Sequence, residues 1–127
     1  MARALGIGGV FFKSKNPEKL GNWYKKWLGV PVNHPWGASF DPAELPAGAR
    51  GVWTPFKADT EYFAPSQQEF MCNLIVDDLD GALAQVVEGG AELAGEIEDI
   101  EYGRFGWFLD PEGNKVELWE PRLYEEA

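Results

Sequence analysis

Among the 127 residues of this chain, Glu117 has the residue type and the sequence setting best suited to catalysis or ligand binding. It lies in the segment Lys115–Glu120, where Val116 and Leu118 alternate with charged or large side chains. This alternation predicts a strand with one apolar face and with Glu117 on the other face. A carboxylate in a partly apolar cleft can accept a proton from a bound substrate. Glu117 is therefore the candidate catalytic residue, either as a general base or as the place where a ligand or metal group binds.

The segment Asp110–Gly113 must position this strand. It places Pro111 where φ has to be near −65° and Gly113 where φ can be positive, which is typical of a tight turn. The preceding residues, 104–109, predict another strand. We therefore expect the turn to join two neighbouring strands of one sheet.

Earlier in the chain, the sequence predicts a helix that begins at Asn16 and Pro17 and ends at Gly29. Asparagine is a good N-cap, proline is favoured in the first helical turn, and glycine commonly ends a helix. Its apolar residues recur with the spacing of one helical face: Leu20, Trp23, Tyr24, Trp27 and Leu28. Residues 5–13 predict a strand before the helix, and residues 30–32, 38–40 and 51–56 predict short strands after it.

The same order of elements begins again at Glu69. Residues 69–76 predict a strand, Asp77 and Asp78 cap a second helix, and residues 97–102, 104–109 and 114–120 predict three further strands. Each half is thus a strand, a helix and about three strands, which indicates an internal repeat. We predict a single α+β domain over 1–127 with two tandem βαβββ modules, at about 5–57 and 69–121.

If the helices cover the apolar faces of the strands, the opposite faces of the strands line a cleft. The exposed faces would then carry three sets of side chains: Gly9, Phe11 and Lys13; Met71, Asn73 and Ile75; Lys115, Glu117 and Trp119. Such an aromatic and partly polar concavity suits a small molecule. Lys13 and Arg104 are candidates for holding an anionic group of that molecule.

Composition excludes some classes of partner. The net charge of −10 makes nucleic acid a poor partner, because no basic patch is available to neutralise phosphates. The single Cys72 rules out an internal disulfide and favours a reducing compartment. No apolar run approaches membrane-spanning length, and residues 1–6 lack the apolar core of a signal peptide. We expect a cytoplasmic protein with no membrane partner.

Three motifs together resemble the vicinal-oxygen-chelate superfamily, which includes glyoxalase I, extradiol dioxygenases, and bleomycin- and fosfomycin-resistance proteins. They are Trp23-Tyr24-x-x-x-Leu28-Gly29, Val76-Asp77-Asp78-Leu79, and the segment from Asp110 to Leu118. The resemblance covers about residues 8–121. It implies that the tandem βαβββ modules form a curved mixed sheet around a cleft. It does not imply one reaction, because the superfamily spans enzymes and simple binding proteins.

The metal-dependent members of the superfamily hold a divalent ion with side chains from four strands. The resemblance puts the corresponding positions at Gly9, Thr54, Met71 and Glu117, and of these only Glu117 carries a suitable ligand. Cys72 does not restore the set, and we interpret His34 as a surface or turn residue. We therefore expect no metal cofactor. The predicted ligand-binding residues are Phe11, Lys13, Thr54, Met71, Asn73, Arg104 and Trp119.

Three functions remain open at this point. The first is a metal-free binder of a small molecule, as the bleomycin-resistance proteins are. The second is a divalent-metal-dependent lyase, isomerase or dioxygenase with a relocated site. The third is a metal-free enzyme that uses Glu117 as its base. Exposed edge strands and the tryptophan-rich first helix further suggest a homodimer that covers them.

Overall fold

The computed structural model describes residues 1–33 and 37–122. Within these ranges, two α-helices form where their caps predict them. Helix α1 spans Pro17–Leu28; the side chain of Asn16 accepts from the backbone N–H of Lys19, and Gly29 ends the helix at a φ of 65°. Helix α2 spans Leu79–Glu88, and the side chain of Asp78 accepts from the backbone N–H of Gly81. His34, which we interpret as a surface or turn residue, lies outside the described residues.

The five strands of the described residues form one mixed, curved sheet. They are β1 Cys72–Ile75, β2 Glu92–Leu93, β3 Glu98–Ile100, β4 Gly103–Leu109 and β5 Lys115–Pro121. Strand β1 is parallel to β5, and β4 is antiparallel to β5, β2 and β3. The α+β fold class predicted from the sequence is confirmed. Within the described ranges, no helix has the length and apolar character needed to span a bilayer.

The core lies between the helices and one face of this sheet. Helix α2 contributes its regularly spaced apolar residues, and the sheet contributes every second residue of β4 and β5. The buried cluster consists of Leu79, Ala82, Leu83, Val86, Phe108, Val116 and Leu118. Trp23, Tyr24 and Leu28 of α1 pack against it. Burial of this face fixes the register of β5, because a slip of one residue would put Glu117 into the core.

The turn between β4 and β5 is fastened to helix α1. The carboxyl of Asp110 accepts from the backbone N–H groups of Glu112 and Asn114, at 2.9 and 3.0 Å, and from the hydroxyl of Tyr24, at 2.8 Å. Glu112 in turn accepts from the hydroxyl of Ser14, at 2.7 Å. The turn that sets the start of β5 is thus held at both sides by the segment that contains α1.

The first half of the chain departs from the prediction. The strands predicted over 5–13 and 51–56 are not formed in the single chain, and those over 30–32 and 38–40 reduce to one isolated bridge between Val32 and Ala38. Alternating apolar residues indicate a surface that a sheet could use, but a strand also needs a hydrogen-bonded neighbour. The apolar residues of these segments remain exposed, Phe11 at 95% and Trp53 at 77%. The module boundaries at about 5–57 and 69–121 stay a prediction.

We predict that Tyr24→Phe lowers the free energy of unfolding by about 1.5–3 kcal/mol, because it removes a partly buried hydrogen bond to a charged carboxylate. Burial, and then Asp110, raise the pKa of Tyr24 above its ordinary value of 10.0. The unfolded chain therefore loses this proton first, and the stability contributed by Tyr24 is complete below pH 10.0 and declines at higher pH.

Urea unfolding at several pH values from 7 to 11 measures both effects. The difference in stability between the wild-type chain and Tyr24→Phe should shrink above pH 10.0. Tyr102→Phe, which alters an exposed side chain, is the matched control and should change little. Equal stability of Tyr24→Phe and wild type at pH 7 would show that the turn does not depend on this bond.

Candidate functional site

The sheet face opposite the helices is the candidate site, and we call it the open face. Val116 and Leu118 of β5 point into the core, so Lys115, Glu117 and Trp119 point the other way. The register places Asn73 of β1 and Trp107 of β4 on the two sides of Glu117. A carboxylate at the centre of this face therefore has one neighbour from each adjacent strand.

Both carboxylate oxygens of Glu117 accept hydrogen bonds. Asn73 donates its side-chain N–H to Oε1 at 2.7 Å. Trp107 donates its indole N–H to Oε2 at 3.0 Å, and the hydroxyl of Tyr62 donates to the same oxygen at 2.6 Å. Three uncharged donors thus hold the negative charge at a fixed place on the open face.

Two aromatic residues contact this carboxylate, Tyr62 and Trp107, and further rings pack on Tyr62. Tyr62 stacks on Phe56, with 5.5 Å between the ring centroids, and meets the ring of Trp107 edge-on at 6.2 Å. Phe63 packs against Phe56 at 5.1 Å. Burial, and then the hydrogen bond to Glu117, raise the pKa of Tyr62, so its hydroxyl keeps its proton and remains a donor at neutral pH.

Lys115 is the cation of this face. Its side chain lies over the rings of Tyr62 and Trp107, with Nζ 5.2 and 5.9 Å from the ring centroids, and only 8% of the residue is exposed. Nζ donates to the backbone carbonyl of Tyr62 at 2.6 Å. Burial lowers the pKa of Lys115, because the ammonium loses hydration.

The structure brings some of the predicted site residues together. Asn73, Glu117 and Trp119 share the open face, and Asn73 contacts Glu117 directly. The ring of Trp119 stacks on Phe105 at 5.9 Å, and its indole N–H donates to the carbonyl of Tyr102. Trp119 therefore forms one end of the face.

Arg104, predicted to hold an anionic group in the cleft, lies on the other face. Its guanidinium makes two hydrogen bonds to Asp80 of α2, at 3.0 and 3.2 Å, and lies 3.8 Å from Glu120. The reason is strand parity: Arg104 is three residues from Trp107 along β4, so the two side chains point to opposite faces. The structure does not place Arg104 with Glu117.

The remaining predicted residues do not join Glu117 in the single chain. Phe11, Lys13 and Thr54 are exposed and belong to segments without helix or strand. Met71 directly precedes β1 and is half-buried. Their ligand-binding roles stay predictions.

Two residues of this site, Tyr62 and Trp107, are not among the cleft residues predicted from the sequence, whereas Lys115 is predicted on the cleft face but not as a ligand-binding residue. The hairpin is the signal that could have identified Trp107, because a tight turn at Asp110–Gly113 pairs Trp107 with Glu117. Tyr62 belongs to the connection between the two halves, and no sequence periodicity indicates which strand such a loop covers.

The donor chemistry does not fit the divalent ion that the superfamily resemblance implies. Glu117 offers the one carboxylate among the four corresponding positions, and both of its oxygens already accept from uncharged donors. Across 1–33 and 37–122, no group of three or more histidine, cysteine, aspartate or glutamate residues could hold a metal ion. Gly9 has no side chain, Thr54 offers a weak neutral hydroxyl, and Met71 offers a soft thioether, so these positions do not complete a site.

Comparison with solved structures shows the fold. A protein of unknown function from Agrobacterium tumefaciens is 19% identical, with a TM-score of 0.56 over 91% of this chain and 98% of that one. TnmS3, an antibiotic binding protein from a Streptomyces species, is 23% identical, with a TM-score of 0.52 over 94% of this chain and 100% of that one. TioX from a Micromonospora species is 17% identical, with a TM-score of 0.51 over 87% and 91% of the two chains.

Comparison with protein families identifies the chain itself. No curated protein matches the sequence significantly. The profile of the glyoxalase-like domain matches residues 9–119, which is most of the chain and includes both helices and the hairpin that carries Glu117. The chain is therefore a member of the glyoxalase-like domain family, within the vicinal-oxygen-chelate superfamily.

Proposed function

We propose that this protein binds an aromatic small molecule at the open sheet face, with Glu117 as its central polar contact and without a metal ion. The observation that carries the proposal is the carboxylate of Glu117, held by three donors, two of which belong to packed aromatic rings. Apolar sites with a few fixed polar groups are the usual form of small-molecule sites. The fold is shared with TnmS3, which is described as an antibiotic binding protein, and this supports the same class of ligand here.

A binding role is favoured over catalysis because the described part of the site provides one carboxylate, and each of its oxygens already accepts at least one hydrogen bond. Tyr62, Asn73 and Trp107 all donate to it, and the nearby cation, Lys115, donates to a backbone carbonyl. Such an arrangement fixes a charge and selects a complementary ligand. Glu117 would act as a base only where a ligand replaces one of these donors.

We predict that Glu117→Gln weakens binding about tenfold, because the charged acceptor of a ligand hydrogen bond becomes neutral. A panel of aromatic natural-product antibiotics provides the test. Ligands of the wild-type chain are found by the rise in melting temperature, and their dissociation constants are then measured by calorimetry. The matched control is Arg104→Gln, a change of charge on the opposite face, which should leave affinity unaltered.

Two results would contradict this proposal. One is a panel in which no compound stabilises the wild-type chain. The other is a ligand whose affinity is the same for Glu117→Gln and wild type, which would place its site away from the carboxylate.

Metal analysis tests the metal-free part of the proposal. The purified, extensively dialysed chain should contain far less than one equivalent of Mn, Fe, Ni or Zn, because the four positions supply one charged ligand. Antibiotic affinity should also be unaffected by a chelator. Stoichiometric metal, with affinity that chelation abolishes, would instead support a relocated metal site and the enzyme reading that goes with it.

We also propose that two copies of the chain associate as a homodimer. Strand β1 is hydrogen-bonded to β5 alone among the described strands, so its other edge is open. The same chain carries an apolar segment with a strand-like sequence, residues 5–13. Its side chains are exposed, and it forms no strand with a hydrogen-bonded neighbour among the described residues. Each copy thus offers both an edge and a segment that could cover it, which a two-fold pairing would satisfy twice.

Sedimentation analysis tests the homodimer. The wild-type chain should sediment as a dimer, and Phe11→Asp should shift it toward monomer, because a charge would then be buried in the pairing. Lys57→Asp, a charge change at an exposed position outside that segment, is the control. A wild-type chain that remains monomeric at high micromolar concentration would overturn the proposal, as would a dimer that Phe11→Asp leaves intact.

A further inference from the structure

Tyr62 forms hydrogen bonds with both charged groups of the open face, Glu117 and Lys115. Its hydroxyl donates to Oε2 of Glu117 at 2.6 Å, and its backbone carbonyl accepts from Nζ of Lys115 at 2.6 Å. Its ring lies between these two contacts, stacked on Phe56 and edge-on to Trp107. One residue therefore supplies a donor at one end of an aromatic ring and an acceptor at the other.

Tyr62 comes from the connection between the two halves of the chain, not from the sheet. The described residues 57–68 contain turns but neither helix nor strand, and 40% of Tyr62 is exposed. Lys115, by contrast, is 8% exposed, and Glu117 and Trp107 belong to paired strands. A tyrosine on a surface connection thus lies over a charged and aromatic surface that the sheet holds fixed.

We propose that Tyr62 occupies the place of the ligand, and that the site takes a phenolic ring with a carbonyl acceptor at its other end. Such a molecule displaces Tyr62 and takes over its two hydrogen bonds, to Glu117 and to Lys115. This inference rests on the proposed binding function and names the chemical class of the ligand. It also makes Tyr62 a competitor that lowers the affinity of the wild-type chain.

The two charges explain why both ends of the ligand matter. A ring without a hydroxyl would leave Glu117 short of the donor that Tyr62 now provides, and a ring without a carbonyl would leave the buried Lys115 ammonium without its acceptor. A site that loses one hydrogen bond to a charged group discriminates by roughly tenfold or more. Stacking alone distinguishes aromatic rings much less.

Binding of N-acetyl-L-tyrosinamide tests the inference, because this compound carries the phenol and carbonyl groups that Tyr62 presents. Its dissociation constant is measured by calorimetry, with N-acetyl-L-phenylalaninamide as the matched probe that lacks the hydroxyl. Tyr62→Ala should bind the tyrosine probe at least tenfold more tightly than wild type does, because the competing ring is gone. The phenylalanine probe should bind Tyr62→Ala at least tenfold more weakly than the tyrosine probe.

Two further variants keep this test decisive. Tyr62→Phe preserves the ring and its packing while removing the hydroxyl, so it should bind the tyrosine probe several-fold more tightly than wild type even if Tyr62→Ala folds poorly. Tyr102→Ala removes an exposed tyrosine elsewhere and should bind the probe as wild type does. The gain in Tyr62→Phe should be lost again in the double variant that adds Glu117→Gln.

The outcomes separate this inference from the proposed function. If Tyr62→Ala and Tyr62→Phe bind the tyrosine probe no better than wild type, Tyr62 is not a competitor and the inference is wrong. If both probes bind equally, the phenol is not recognised and the inference is also wrong. In either case the proposed function survives where a panel antibiotic still binds the wild-type chain with an affinity that depends on Glu117.

Discussion

The carboxyl of Asp110 holds together the part of the molecule on which the candidate site depends. It accepts from two backbone N–H groups of its own turn, from the side chain of Asn114, and from Tyr24 of helix α1. These bonds close the hairpin of β4 and β5 and attach it to the helix that packs on the core. Because β5 starts at this turn and buries Val116 and Leu118, Glu117 has to point to the open face.

The parts of the fold that the sequence predicts are those in which local chemistry and packing agree. Asn16 and Asp78 cap the two helices as expected, and alternation along β5 identifies the face of Glu117 correctly. The strand predicted over 5–13 shows where such reasoning stops, because a sequence pattern describes one side of a pairing and does not identify its neighbour. The exposed ring of Phe11 is the consequence in a single chain.

The same limit applies to the site. Asn73 and Glu117 are adjacent as parity predicts, since parallel neighbours in register share a face. The prediction that Arg104 lies in the cleft rests on its charge and ignores its position along the strand. Its contacts with Asp80 show that it lies on the helix side. Tyr62 could not be placed from sequence, because the path of a connecting loop depends on the finished sheet beneath it.

Membership of the glyoxalase-like domain family fixes the architecture and leaves the chemistry to the side chains of this chain. Here those side chains are a carboxylate held by uncharged donors, a buried lysine and several aromatic rings. Together they form a surface with one acceptor and one donor charge at fixed positions. The proposed function rests on such a surface, which offers hydrogen-bonding groups to a ligand.

The central claim is that ligands bind on the face that carries Glu117, and the indole N–H resonances test it directly. The indole of Trp107 donates to Glu117, whereas that of Trp23 donates to the carbonyl of Gly89 on the helix side. In nitrogen-15 NMR spectra recorded during titration with a ligand of the wild-type chain, the Trp107 resonance should shift and the Trp23 resonance should stay in place. A shift of Trp23 with an unchanged Trp107 would contradict the account.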